Sequence, residues 1–445
     1  MVHLNPKCNT LSHWLNEAPF QQQPTQPLPT EADIVIVGGG ITGLSTAYWL
    51  TKLNPKLSVV VLEARGLSSG ATGRNGGIIC PGLNDSFESI AHRYGEKEAL
   101  RLVDFDYINV DMLAKFLEEH SDKQGGPFDP QITWMKHGTI CAWTSEIEAY
   151  DGRADVARLE QLRPHQDDIA ALTAEQVQAL TGEQSFKFGA LQIKNTAIAW
   201  AARIVFCMAR AVQDQVHLAT FSPVQRVEQV GSRHRVVTSR GTILANKVAY
   251  CTNAWTRHLL PKFQPFLVPV RNQVVSVDAH PGPATRRDAA DMNYVLSCNR
   301  GYQYMSYRPY DDRIIFGGMR DRTVGRMEHE DDDSTLNVTV SCELRHRLDE
   351  LGLPATPERE WVGVMGNSKI DALPFVGELS TMDGDAKLKG QYIAAGFHGH
   401  GMPRTFLCGK ALAQLLADQP LDDYFPTPFL LDHPTRSYLS SKAKL

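Results

Sequence analysis

Residues 33–63 read DIVIVGGGITGLSTAYWLTKLNPKLSVVVLE, and the expected fold follows from them. Asp33–Val37 is a short β-branched apolar run, the pattern of a parallel strand buried on both faces. It enters Gly38-Gly39-Gly40-Ile41-Thr42-Gly43, so the glycines of G-x-G-x-x-G fall at Gly38, Gly40 and Gly43. The first permits a tight turn, the second lets backbone approach a pyrophosphate, and the third lets helix pack closely on strand. A helix over about Thr42–Lys52, with Ile41 and Thr42 at its start, aims its first N–H groups at that pyrophosphate. Asn54-Pro55 closes it, because proline disfavours helical geometry in the residue before it. A second strand, Leu57–Leu62, ends at Glu63. A carboxylate there accepts hydrogen bonds from an adenosine ribose and repels a 2′-phosphate. Strand, glycine turn, helix, strand and acid come in order and predict an adenine-dinucleotide site. The stretch does not separate NAD from FAD.

The chain has 445 residues, 42% of them hydrophobic, enough for two or three packed lobes. A net charge of −5 without a long basic run argues against nucleic acid or an anionic membrane as partner. No apolar run approaches the roughly 20 residues of a membrane helix. The start, MVHLNPKCNTLSHW, lacks the basic and apolar regions of a secretory signal. The eight cysteines are scattered with no C-x-x-C pair, so neither a disulfide framework nor a metal site is expected. They read as reduced thiols of an intracellular protein. The last residues, Ala443-Lys444-Leu445, are a variant of the Ser-Lys-Leu peroxisomal address. The expectation is a peroxisomal protein recognised by an import receptor if the source is eukaryotic, and a cytoplasmic one otherwise.

Along the chain, Leu11–Leu15 suggests a short docked helix and Gln21–Thr30 a proline- and glutamine-rich spacer. Ser68–Gly82, SSGATGRNGGIICPG, holds five glycines and marks backbone in unusual conformations or against a ligand. Glu96–Glu119 carries one apolar helical face, and Trp200–Gln213 reads as another helix. Strands are expected at 224–230, 235–239, 242–244 and 247–251, the last running into Thr252-Asn253-Ala254-Trp255. Val268–Val277, Gln303–Arg308 and Arg313–Gly318 suggest a separate antiparallel sheet. Asp331-Asp332-Asp333 reads as a solvated face. Gln391–Ala395 is a strand, followed by GFHGHG and a helix over Met402–Leu416.

Four motifs in order, GGGITG with Glu63, the loop Gly70–Gly77, KVAYCTNAW and IAAGFHGHGM, are similar to those of the D-amino-acid oxidase superfamily of FAD-dependent oxidoreductases. This group includes glycine oxidase and monomeric sarcosine oxidase. The resemblance runs from about Asp33 to Leu416 and is strongest to the branch with a GATGRNGG-like loop and a WxGxMG motif. It implies an α/β fold: a Rossmann-like FAD-binding domain of the glutathione-reductase type, assembled from discontinuous segments, plus an α+β substrate domain with a mostly antiparallel sheet. The expected boundaries are 31–95, 190–260 and 357–430 for the FAD-binding domain and 96–189 and 261–356 for the substrate domain. Residues 1–30 and 431–445 are extension and tail.

The residues expected against FAD, besides Gly38, Gly40, Ile41, Thr42 and Gly43, are Glu63, Ala64 and Arg65 after the second strand. Gly70, Ala71, Thr72, Arg74, Asn75, Gly76 and Gly77 lie in the glycine-rich loop. Val224, Thr252, Ala254 and Trp255 belong to the strand-and-turn motif, and Gly399, His400, Gly401 and Met402 to the terminal loop. His398 reads as a loop histidine with no role. Some relatives tether FAD through a cysteine before the terminal motif or a histidine in the first loop. Here WVGVMGNSK and GATGRNGG hold neither, so FAD is expected without a covalent bond.

The implied reaction is oxidation of a C–N bond of an amine or amino acid, by hydride transfer from the carbon beside a neutral amine to flavin N5. Oxygen is the expected acceptor, giving hydrogen peroxide. Arg308 is the expected carboxylate anchor, since its planar fork suits bidentate pairing. Arg271, Tyr304 and His400 are further catalytic candidates, and Trp361 and Tyr302 candidate walls for an amine. Sarcosine-oxidase relatives place a lysine over the flavin for oxygen, yet this chain has no lysine between Lys262 and Lys369. Arg313, Arg320 or a histidine is the substitute. The same gap favours alternatives: a dehydrogenase, or a biosynthetic tailoring oxidase with another acceptor. A flavin-binding scaffold without turnover is a third reading.

Overall fold

The computed structural model describes residues 10–82, 86–123, 125–279, 292–382 and 384–439. Ala443-Lys444-Leu445, on which the peroxisomal expectation rests, lies outside the described residues.

Glu31–Val37 and Val59–Leu62 run parallel, Ile34 opposite Val59 and Val37 opposite Leu62, joined by the helix Ile41–Leu53. Their sheet continues in parallel on both sides, to Val216–Ala219 beyond one strand and to Gly241–Tyr250 and Gln391–Ala395 beyond the other. Phe375–Glu378 closes one edge antiparallel, and the ribbon Val224–Val230 with Arg233–Thr238 folds against the start of Gly241–Tyr250. The apolar run is continuous because both faces are covered. Ile34 and Ile36 enter one core with the helices, whereas Val35 and Val37 enter the core on the other side.

On the helical side, Ile41–Leu53 lies against Thr405–Leu416 with little between them. A Cβ at Gly409 would stand 2.6 Å from Ser45 Cβ, and Ser45 Oγ donates to Phe406 O at 2.6 Å. The first and last motifs of the sequence are therefore one piece of structure. The terminal helix starts at Thr405 rather than at the expected Met402, since Gly399 has φ +80° and the chain turns through Gly401 before the helix begins.

The second sheet is antiparallel except where Val295–Cys298 runs parallel to Thr139–Ala142. Its longest strand, Leu267–Asp278, lies between the edge strand Arg359–Ser368 and Arg313–Gly318, with Gln303–Arg308 next. Helix Val338–Glu350 covers one face through Val340, Leu344 and Leu348. Arg359–Ser368 and Ala190–Ile193 are strands of this sheet, although the sequence boundaries allotted both to the cofactor segments. Their partners lie far along the chain, which no local pattern encodes. The helices Glu96–His120 and Ala201–Val212 occur where apolar periodicity placed them. Leu11–Leu15 contributes one 3₁₀ turn, His13–Leu15, with Trp14 buried. No helix among the described residues is long and apolar enough to cross a membrane.

Candidate functional site

At the end of the first strand Gly38 has φ +115°, and its N–H donates to Leu62 O at 2.8 Å. A side chain there would strike Cys251 O at 2.6 Å, and one at Gly43 would strike Gly38 O at 2.0 Å. These two glycines make the turn and seat the helix. Gly40 differs. A Cβ there meets only Thr72 Oγ1, at 3.2 Å, so backbone borders open space at the helix start. Gly40 caps the helix without a side-chain hydrogen bond, and the first turn holds no acid. Ile41 N–H donates to Thr72 Oγ1 at 3.4 Å, and the other N–H groups of that turn border the gap as an anion site.

Glu63 leaves its strand beside this gap. One carboxylate oxygen accepts from Gly39 N–H at 2.8 Å and the other from Arg65 N–H at 2.9 Å. Each oxygen keeps a lone pair for a further donor. Arg65, expected against the cofactor, spends its guanidinium on protein. It donates to both oxygens of Asp333, at 3.0 and 2.9 Å, and to Ser69 O. Arg74 does the same, with Ser69 O, Thr10 O and Val362 O all within 3.0 Å and Asp333 Oδ2 at 3.6 Å. Asp333 is 5% exposed, which corrects the expectation of a solvated face at that residue, while Asp332 is exposed. Two guanidiniums, Arg65 after the second strand and Arg74 in the glycine loop, need its charge, and the loop that carries it reaches over from beside the second sheet.

The loop Gly70–Gly77 is brought against the terminal loop by Asn75, whose Nδ2 lies 3.2 Å from Met402 Sδ and whose Oδ1 accepts from Gly77 N–H. Trp14 locks the same residue, donating Nε1–H to Asn75 O at 2.6 Å. The third motif joins through Asn253, φ +43°, whose Oδ1 accepts from Gly396 N–H at 3.0 Å. Ala254 is buried, and Trp255 stands near Gly70 with the Arg65 guanidinium 5.7 Å from its ring centre. The four motifs therefore meet. Val224 starts the antiparallel ribbon and packs on the core on the other side of the sheet, two residues after Ser222, whose N–H donates to Glu63 O at 2.8 Å.

Of the catalytic candidates, Tyr304 is well placed. Its ring lies 2.5 Å from where a Gly76 Cβ would stand, and its hydroxyl accepts from Asn272 Nδ2 at 2.9 Å. Burial holds that hydroxyl protonated. His400 belongs to the terminal loop, and burial followed by the Arg404 charge lowers its pKa to about 3, so the ring is neutral near pH 7. Arg308 is not available as an anchor. It is 1% exposed, pairs with Asp311 at 3.1 Å, donates to Gln131, and is flanked by the rings of Trp14 and Trp200 at 5.0 and 5.3 Å. Arg271 is likewise committed, to Glu330 at 2.7 Å and to Thr335 O. Trp361 is fully buried beneath the glycine loop, donating to Arg74 O at 3.0 Å, and walls nothing.

Sequence reasoning missed a pair at the terminal helix. Arg404 and Asp106 are both fully buried and joined at 2.8 and 3.1 Å. Gly82 is gripped by both, its N–H donating to Asp106 at 3.1 Å and its O accepting from Arg404 at 2.9 Å. The only signal was the isolated Asp106 on the apolar face of its helix. Among the described residues no cluster could hold a metal ion.

These observations fit an FAD molecule. The uncapped helix start and open Gly40 suit a pyrophosphate, Glu63 suits a ribose, and the Asn75–Met402 junction under Tyr304 suits the ring end. Comparison with known proteins agrees. Residues 33–415 match the family profile described as FAD dependent oxidoreductase. The gamma-glutamylputrescine oxidoreductase of Escherichia coli (strain K12) is 25% identical over 393 residues, 86% of this chain and 83% of that protein. Glycine oxidase from Geobacillus kaustophilus superimposes with a TM-score of 0.71 at 20% identity, covering 91% of this chain and 99% of the other. L-proline dehydrogenase from P. horikoshii gives 0.69 at 20% identity, covering 90% and 98%.

Proposed function

The chain belongs to the FAD dependent oxidoreductase family, and from that premise we propose that it oxidises a carbon–nitrogen bond of an amino acid or amine. FAD, when bound, supplies the two-electron acceptor. Gly38–Gly43 and Glu63 would hold its adenosine diphosphate half, and the Gly70–Gly77 and Gly396–Met402 loops its ring end. The observation that carries this reading is the meeting of those two loops through Asn75 and Met402, directly below Tyr304 of the antiparallel sheet. A substrate lying between that sheet and the loops is shielded from water and oriented by Tyr304 and Asn272. His400, being neutral, acts there as a hydrogen-bonding group rather than a cation. The similar proteins named above act on gamma-glutamylputrescine, glycine or L-proline by their names, which supports the substrate class.

FAD is held without a covalent bond in this reading, because Gly70–Gly77 and Trp361–Lys369 hold neither histidine nor cysteine. Oxygen is the acceptor and hydrogen peroxide the product. A second reading, a dehydrogenase or tailoring oxidase with another acceptor, is favoured by one observation: no lysine stands between Lys262 and Lys369. The test is an anaerobic screen of amino acids, N-methyl amino acids and polyamines against purified flavoprotein, followed by flavin absorbance. Bleaching by one compound class is expected, with free FAD released on acid precipitation. Flavin that no amine bleaches would overturn the enzymatic reading, and reoxidation by a dye but not by oxygen would select the second.

A further inference from the structure

The family profile begins at residue 33, yet residues 10–15, ahead of it, lie along the glycine loop. Thr10 and Ser12 are buried and Leu11 between them is exposed, so alternate residues of an extended stretch face the loop. Thr10 O accepts from Arg74 Nη1 at 3.0 Å, and Ser12 Oγ donates to Gly73 O at 2.5 Å. Ser12 stands at the N-cap of the turn His13–Leu15 but makes no capping hydrogen bond, because its hydroxyl goes to the loop instead. Trp14 then donates to Asn75 O. Three consecutive loop residues are thus held from one side.

Two glycines of the loop serve this contact. A Cβ on Gly73 would lie 2.9 Å from Leu15 Cδ2, and one on Gly77, φ +72°, would lie 2.8 Å from the Trp14 indole. Gly76 faces Tyr304 instead, so the loop is a layer between the N-terminal segment and the antiparallel sheet. Trp14 is itself fixed. Its O accepts from Trp200 Nε1–H at 2.7 Å, and its ring stands edge-on to those of Trp200 and Trp361, at 5.9 and 6.4 Å. His13 beside it meets Asp311 at 2.9 Å. The buried Arg308–Asp311 pair therefore has a duty: Asp311 fastens the segment, and Arg308 backs the indole.

The consequence lies in the Asn75–Gly76 peptide. It is trans, so its C=O and N–H point in opposite directions. Turning Asn75 O onto Trp14 sends Gly76 N–H away from the segment. Gly76 is buried, and among the described residues its N–H has no hydrogen-bond partner. Buried N–H groups are nearly always paired, which leaves this one for a ligand on the far side of the loop. We propose that Trp14 is a positioning residue of the cofactor site. It fixes the Asn75–Gly76 peptide so that Gly76 N–H is presented to the ring end of FAD, which makes the N-terminal segment part of that site. The proposal rests on the FAD reading of the loop and on no particular substrate. A glycine-rich loop left to itself has wide backbone freedom, whereas a donor already held in place needs no reorganisation when charge develops beside it.

The test compares Trp14→Phe, which keeps a ring but removes the donor to Asn75, with Trp200→Phe. The latter loses a similar buried indole hydrogen bond one link farther from the loop. For each holoprotein the visible flavin spectrum, the midpoint potential and the FAD affinity are measured, and melting of the flavin-free protein reports the fold. Trp14→Phe is expected to weaken FAD by about 3–10-fold, the range for one lost neutral hydrogen bond, and to shift the flavin absorbance. It should also lower the midpoint potential, since a donor held at the ring favours its electron-rich reduced form. Trp200→Phe should leave spectrum and potential close to wild type at a similar loss of melting temperature. A wild-type spectrum and potential in Trp14→Phe, or shifts in both variants that merely follow the melting loss, would overturn the proposal. If Trp14→Phe yields no folded protein, Ser12→Ala decides by the same readouts, with FAD weakened by about 2–5-fold expected and unchanged affinity and potential refuting. A Trp14→Phe protein that an amine bleaches but that is otherwise unaltered loses the positioning role and keeps the oxidation. A shifted one that no amine bleaches, with wild type equally inert, keeps the positioning role and loses the oxidation.

Discussion

Asp106 and Arg404 offer a stability test whose size follows from the geometry. The Asp106 carboxylate accepts from Arg404 Nε at 2.8 Å, from Arg404 Nη2 at 3.1 Å and from Gly82 N–H at 3.1 Å, with both side chains fully buried. Asp106→Ala strands a buried guanidinium that keeps one acceptor, Gly82 O at 2.9 Å, while its Nη1 already has no partner among the described residues. Breaking a buried pair from one side costs about 3–5 kcal/mol. Arg404→Met strands the carboxylate instead and should fall in the same range. The double variant removes both charges and leaves only the backbone groups of Gly82 unpaired, about 1–3 kcal/mol in all. It should therefore be more stable than either single variant, with a coupling of at least about 2 kcal/mol. Urea titrations of the four proteins, compared at their midpoints with unchanged slopes, measure this directly. Additive costs, or an Asp106→Ala variant within about 1 kcal/mol of wild type, would refute the reasoning.

Gly40 and Gly43 should separate cofactor from fold. Gly40→Val should abolish FAD binding with little change in the melting of flavin-free protein, whereas Gly43→Ala, facing Gly38 O at 2.0 Å, should cost stability as well, about 1–3 kcal/mol; flavin content and thermal melting report each. Asp333→Ala should destabilise by about 3–5 kcal/mol, because Arg65 and Arg74 lose a buried carboxylate; a surface-like loss under 1 kcal/mol in urea would return that acid to the solvated class. For His400, the folded pKa of about 3 lies below the ordinary imidazole value of 6.5, so the unfolded chain binds more protons between these pH values. Its contribution is complete above pH 6.5 and is lost as pH falls towards 3, partly screened at this half-buried ring. His400→Gln should flatten the fall of the urea midpoint between pH 7 and pH 4, and an unaltered slope would count against it.

Local rules made the cofactor end legible. The duties of Gly38 and Gly43 are steric relations within one turn, and Glu63 ends a strand whose apolar run is unmistakable. The glycine loop and terminal loop were readable because only unusual backbone explains so many glycines. What stayed hidden depends on partners far along the chain. Three consecutive aspartates look solvated until Arg65, 268 residues away, is seen to take Asp333. Arg308 looks like a free fork until Trp14 and Trp200 close over it.

The tight seat of Ile41–Leu53 against Thr405–Leu416 has a consequence for synthesis. The helix Ile41–Leu53 is among the first elements made, and its packing partner is among the last, about 360 residues later. At roughly 5–20 residues per second the ribosome needs about 20–70 s to cover that distance. For that interval the nascent chain exposes Leu44, Ala47 and Tyr48 without their final cover. Chaperone occupancy of arrested nascent chains should fall sharply once residues up to Leu416 have cleared the exit tunnel.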